Sequence, residues 1–278
     1  MGLRINTNAQ SLAAQRSLSK STTQQRESLE KLSSGARINK SADDAAGMAI
    51  AEKMRAQIRS LRQAVRNAND GISIIQTTEG GMNEIAGILI RFRELSIQAA
   101  SDTIGDTERS FVDKEVQQLV AEIDRIAESV EFNGKLKLLN GQGGVLDVQI
   151  GLNNNPQMDR FQIDQSQTDV RTQTLGLSGL SVSTKQSAQD NLDKLDNAIK
   201  MMSERRANLG AIQNRLQSTI SSLQVYDENL SAARSRIFDT DIAAESSELT
   251  KNNILTSAGV SVLAQANQTA SLALKLLG

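Results

Sequence analysis

The sequence predicts a mainly α-helical protein, an elongated antiparallel helical bundle or coiled coil with a small β-hairpin insert. Three observations carry this. Apolar residues recur at spacings of three and four on both sides of the chain centre, the seam pattern of packed helices. Helix breakers gather in between: seven of the 18 glycines and the only proline, Pro156, fall from Gly134 to Gly179. The third is composition: the 278 residues include no Trp, one Tyr and five Phe, too few aromatics for a large, rigid globular core.

In chain order, residues 1–40 form a weak amphipath. Ile5, Leu12, Leu18, Leu29 and Leu32 are sparse among Ser, Thr and Gln. Residues 41–133 carry the first strong stripes, one through Ile85, Ile88, Phe92, Leu95 and Ala99. A second runs through Val112, Val116, Leu119, Ile123, Ile126 and Val130. Residues 134–184 are turn-rich. There Leu146, Val148, Ile150 and Leu152 alternate, and Phe161 and Ile163 alternate again after Asn153-Asn154-Asn155-Pro156, which predicts a hairpin. Residues 185–238 resume the helical stripe at Leu192, Leu195, Ile199 and Met202. After a break at Arg206 it continues through Leu209, Ile212, Leu216, Ile220 and Leu223. Residues 239–278 end the chain with Ile254, Ala258, Val262, Ala266, Ala270 and Leu274 at every fourth position, and Leu277 beyond.

The two ends bury little area per residue. At about 25 cal/mol per Å² such a face hardly offsets the entropy of ordering a lone helix. The expectation is that both ends order only when many copies pack together.

Composition also excludes functions. Without His and Cys there is no thiolate nucleophile, no zinc site of the usual ligands and no Ser-His-Asp triad. No metal, cofactor or catalytic residue is expected. Lys and Arg number 31 against 32 Asp and Glu, a net charge of −1, which argues against a nucleic-acid surface. The start has no apolar core of a secretory signal, and no stretch is apolar enough to span a membrane.

The charged motifs read as structural. Asp43-Asp44 suits the positive end of a helix dipole, with Ser41 as the expected N-cap. Asp239-Thr240-Asp241 reads as a helix junction, since it lacks the further ligands of a calcium loop. Arg91, Arg93 and Glu94 flank a seam. The scattered Met residues read as gap-fillers, and no Walker A, dinucleotide or HExxH pattern occurs.

Longer runs are more specific. Leu32-Ser33-Ser34-Gly35-Ala36-Arg37-Ile38-Asn39 continues as Ser41-Ala42-Asp43-Asp44-Ala45-Ala46-Gly47-Met48-Ala49-Ile50. Arg66-Asn67-Ala68-Asn69-Asp70-Gly71-Ile72-Ser73 comes next. Toward the other end stand Asn229-Leu230-Ser231-Ala232-Ala233-Arg234-Ser235-Arg236-Ile237 and Val262-Leu263-Ala264-Gln265-Ala266-Asn267-Gln268. Together these runs closely resemble bacterial flagellin, in a minimal form without large outer domains.

The resemblance implies a self-polymerising filament subunit and no enzyme. It implies secretion through the flagellar type III apparatus with an export chaperone, addition under a filament cap, and hook–filament junction proteins as neighbours. The place is the flagellar filament, extracellular or inside a membrane sheath. The terminal helices would pair as a coiled coil in the assembled filament, with polymerisation seams at Ile5, Leu12, Leu29, Leu32, Ile254, Ala258, Val262, Ala266, Ala270 and Leu274. The family is also sensed by a host Toll-like receptor, and Arg91, Leu95 and Glu115 correspond to that contact. Two alternatives stand beside it: a junction protein of the same superfamily, and a dimeric signalling coiled coil.

Overall fold

The computed structural model describes residues 8–275, with side chains described through residue 268. The chain divides into two units. Unit 1 comprises residues 1–58 and 229–278, and unit 2 residues 59–228.

Unit 2 holds most of the core. Helix α2 (Ala45–Ala100) contributes its later turns, followed by α3 (Asp106–Ser129). Helix α4 (Lys185–Phe238) contributes its residues up to 228. Every member of the predicted stripes on α2, α3 and α4 is buried or half-buried. Phe92, Ile85 and Leu89 of α2 pack in one cluster with Val116 and Ile123 of α3 and with Leu195, Met202, Leu209 and Leu216 of α4. This corrects the expectation drawn from the scarce aromatics. A contiguous core exists, built of aliphatic side chains around Phe92 and Phe161. The break in the stripe at Arg206 is not a break in the helix, since α4 runs through it. There Arg206 leans toward Glu79 of α2, 3.6 Å away.

Helix ends in unit 2 are satisfied by side chains. The buried guanidinium of Arg109, in the first turn of α3, donates to the carbonyls of Ala99 and Ser101 at 2.9 and 2.8 Å. It thereby satisfies carbonyls that the end of α2 leaves orphaned. Gly81 lies mid-helix because a neighbouring side chain comes close: a Cβ there would sit 2.6 Å from Leu139 Cδ1.

The predicted hairpin is present as β3 (Val145–Gln149) antiparallel to β4 (Arg160–Asp164), with Leu146 opposite Ile163 and Val148 opposite Phe161. The connection runs through Asn153–Pro156, and β3 ends before Ile150 and Leu152. Asp159 explains that early end. Its carbonyl accepts from the N–H groups of both Ile150 and Gly151, which departs from the one-to-one ladder. A second, two-residue pair, β1 (Glu131–Phe132) with β2 (Leu136–Lys137), has no period-2 signature in the sequence. It turns at Asn133 and Gly134, both at positive φ. The segment after β4 is pinned to α3: Asp124 accepts from Thr172 at 2.9 Å and Asp113 from the N–H of Val182 at 2.7 Å.

Unit 1 pairs the two ends of the chain. Helix α1 (Ala9–Ser34) starts at Asn8, whose side chain accepts from the N–H of Ser11. It ends at Gly35, in the left-handed conformation at φ 70° that glycine adopts without a Cβ penalty. The link after it carries Ile38, 2% exposed, and a bridge between Ala36 and Asp239. The N-cap of α2 is Asp44, not Ser41. Its carboxylate accepts from the N–H of Gly47 at 2.8 Å, while Ser41 points at the sulfur of Met48. Asp43 caps the preceding turn, accepting from the N–H groups of Asn39 and Lys40. Those backbone bonds, that from Lys40 first, hold its carboxyl below the ordinary carboxylate range. Helix α5 (Ile242–Lys275) starts as the junction reading requires, with Asp241 accepting from the N–H groups of Ala243 and Ala244.

Candidate assembly surface

Helices α1 and α5 lie antiparallel. At one end Asn8 donates to the carbonyl of Ala266 at 2.9 Å, and Ser11 donates to Asn267 at 2.9 Å. Farther along, Gln25 donates to Asn253 at 2.6 Å, and Lys31 stands 3.9 Å from Glu245. Among the described residues, the side chains buried on these two helices are small or polar: Ser11, Ser28, Asn252 and Ala266.

Leu18, Leu32, Leu249 and Leu263 are half-buried, but other large aliphatic residues point elsewhere. Leu12 and Leu29 are 51% and 50% exposed, and Ile254 and Val262 are 64% and 58% exposed. Leu255 and Val260 are also exposed. A shallow groove between the helices is lined by Ala13, Ala14, Leu18, Leu255, Ala258 and Val262. Fully burying a Leu, Ile or Val is worth about 1.5–3 kcal/mol. The single chain leaves that energy ungained on at least four side chains of this pair.

Of the residues that the sequence marks as seams, Leu12, Leu29, Ile254, Ala258 and Val262 are thus exposed, Leu32 is half-buried and Ala266 is buried. Ile5 lies outside the described residues, as do the side chains of Ala270 and Leu274. The structure departs from expectation in two respects. The ends carry helices paired within one chain, where order was expected only among many copies. The pair also closes over polar and small residues rather than over the apolar stripe. Ser28, Gln25, Asn252 and Asn253 carry no signal of their own in the sequence. Polar residues dominate α1, so these stand out only once the partner helix is placed.

The second marked group lies on unit 2. Arg91 pairs with Glu115 at 2.9 Å and with Glu94 at 3.1 Å on an exposed face. The hydrogen bond to Glu115, then that to Glu94, pushes Arg91 above its ordinary value. Leu95 does not share that surface. It is 2% exposed and belongs to the core. Among the described residues no group of three or more His, Cys, Asp or Glu could hold a metal ion. Among them, too, no helix is long and apolar enough to cross a membrane.

A helical fold with a buried core in one unit and exposed aliphatic faces on its terminal pair has the make-up of a structural or interaction protein. Comparison with known proteins gives the family. The model of the bacterial flagellin N-terminal helical region matches residues 5–143, and that of the C-terminal helical region matches residues 192–277. A flagellin of Halalkalibacterium halodurans is 43% identical over 273 residues, covering 98% of this chain and 99% of that protein. Flagellin FlaB1 of Treponema pallidum is 41% identical over 284 residues, covering 98% and 99%. The crystal structure of Bacillus cereus flagellin superposes with a TM-score of 0.50 at 30% identity, covering 57% of this chain and 88% of that one.

The chain belongs to the bacterial flagellin family, in a minimal form with only residues 144–191 between the two matched regions. It is a structural subunit that self-assembles into the flagellar filament, and the family is one of structural proteins rather than enzymes.

Proposed function

We propose that the filament is held together by the aliphatic faces that α1 and α5 leave uncovered. Neighbouring copies bury Leu12, Leu29, Ile254, Ala258 and Val262, with Ile5, Leu32, Ala266, Ala270 and Leu274 completing the seams. Contacts of this kind that do not close on themselves build helical polymers rather than rings. The observation that carries the reading is the inversion of the terminal pair, polar inside and aliphatic outside. Residues 1–40 and 239–278 act as the polymerising module, and residues 41–238 as the folded body that the polymer displays.

The chain is exported by the flagellar type III apparatus, accompanied by an export chaperone, and added beneath the cap beyond the junction proteins. Its destination is the secreted filament. It performs no catalysis. The exposed Arg91–Glu115 pair is the contact offered to a host Toll-like receptor.

Removal of residues 242–278, all of α5 together with the end of the chain, tests the seam. The expected product is a soluble monomer by sedimentation that retains the helicity of unit 2, with no filaments by electron microscopy. Filaments of normal length from this truncation overturn the reading.

A further inference from the structure

The face of α5 that meets α1 is built of small and polar residues: Asn252 and Ala266 are buried on it, and a Cβ at Gly259 would meet Leu18. Such a face lacks the large side chains that lock one helix register against another about one turn, roughly 6 Å, away. Small side chains at Ser11, Ala14 and Ala266 offer no steric stop. Yet the register is defined in the structure, and polar groups mark it at both ends of the pair.

We infer that two side-chain contacts, Ser11 to Asn267 and Gln25 to Asn253, set the register of α1 on α5, while Asn8, which donates to the backbone carbonyl of Ala266, would meet another carbonyl one turn away. The positions agree with one another: partners rise along α1 from 8 to 25 while they fall along α5 from about 267 to 253, as one antiparallel alignment requires. A one-turn slip in one direction puts Leu249 and Leu263 where Asn253 and Asn267 stand and removes both acceptors, and a slip in the other puts the shorter Ser257 and Ser271 there. Asn252 adds a second bar. It is 1% exposed, and neither atom of its amide has a hydrogen-bond partner. That slot admits a neutral polar side chain at a cost. A slip in one direction would bring Glu248 into it, and burying a carboxylate, even one paired with the exposed Lys251, is far costlier. A single buried Asn fixing helix register against otherwise permissive apolar packing is an established device in coiled coils.

The inference deepens the filament reading, because copies can share one seam only if every copy has the same register. Its test uses the soluble chain, so it can fail while the filament reading stands, and the reverse. The chain contains no cysteine, so an engineered pair is an unambiguous reporter. A Cβ built at Gly259 lies 3.8 Å from Leu18 Cβ, inside the separation of about 3.5–4.5 Å that a disulfide spans. The full-length protein with Leu18→Cys and Gly259→Cys reports the observed register. Leu18→Cys with Leu255→Cys, or with Leu263→Cys, reports a slip of one turn either way.

The expected result is rapid cross-linking of the first pair and little of the other two. Adding Gln25→Leu, Asn253→Leu and Ser11→Ala shifts the ratio toward the slipped pairs by about tenfold, as the loss of two modest hydrogen bonds would. The exchange Gln25→Asn with Asn253→Gln restores the original ratio. Failure of the first pair to cross-link overturns the inference, and so does an unchanged ratio after the contacts are removed. If the contact-free variant loses all cross-links, the exchange variant decides: recovery of the first pair supports the inference, and no recovery overturns it.

Discussion

Units 1 and 2 are built from the same few residue types and use them in opposite ways. In unit 2 the aliphatic stripes of α2, α3 and α4 meet one another, and Phe92, Leu89, Ile123 and Leu195 are fully buried. In unit 1 the terminal helices meet through Ser11, Ser28, Asn252 and Ala266, while Leu12, Leu29, Ile254 and Val262 face outward. The first arrangement stabilises a single chain. The second leaves large aliphatic side chains exposed, and under the proposed function these are buried only when another copy arrives.

The contrast is most sharply tested in unit 2. Phe92→Ala empties a fully buried site and is expected to cost about 3–5 kcal/mol, read as a fall in the denaturant midpoint of the monomer. The corresponding change in unit 1, Ile254→Ala, removes a side chain that is 64% exposed. It is expected to alter monomer stability by less than about 0.5 kcal/mol, while raising the concentration needed for filament growth. If Ile254→Ala destabilises the monomer as much as Phe92→Ala does, the two units do not differ in the way described.

Acid provides a smaller lever, which Asp169 illustrates in unit 2. Burial pushes the Asp169 carboxyl up, but hydrogen bonds from Arg171 and Thr174 outweigh it and hold the group below the ordinary carboxylate range. A depressed folded-state value gives a contribution that is complete above the unfolded pKa and is lost as pH falls through the folded one. The melting temperature of unit 2 should therefore decline on acidification through the carboxylate range. Asp169→Asn should flatten part of that decline, and an identical pH profile would remove Asp169 from the account.

The smallest effect on the fold is expected at Arg91. Its ion pairs with Glu115 and Glu94 are solvent-exposed, and exposed pairs contribute little to stability. Arg91→Ala should leave melting and filament formation unchanged while reducing signalling in cells that carry the Toll-like receptor. Full signalling by the variant would detach the receptor contact from this residue.

The same contrast governs how legible each region is. The stripes of unit 2 are readable because seam spacing and burial coincide there: Val112 through Val130 appear as a period and end as a packed face. The hairpin is readable because Leu146, Val148, Phe161 and Ile163 alternate around a proline-containing turn. The β1–β2 pair is not, since two-residue strands carry no period. The cap of α2 falls at Asp44 rather than Ser41 although both residues suit that position, and only the backbone path past Lys40 selects between them. The polar seam of unit 1 is hidden altogether. Hydrophobicity points to Leu12 and Ile254, whereas the intrachain contact is made by Ser11 and Asn252.

The sequence by itself determined the helical class, the central hairpin and, through runs at both ends, the family. Local periodicity and long matched segments need no partner to be recognised. Tertiary structure alone decided which face of each terminal helix is covered, because a helix presents all its faces until another helix takes one. It also decided that Leu95 is buried, since burial depends on what α3 and α4 place over it. The register of α1 on α5 belongs to this second kind: the sequence of a small, polar face leaves it open, and hydrogen bonds between side chains more than two hundred positions apart, Ser11 with Asn267 and Gln25 with Asn253, mark it.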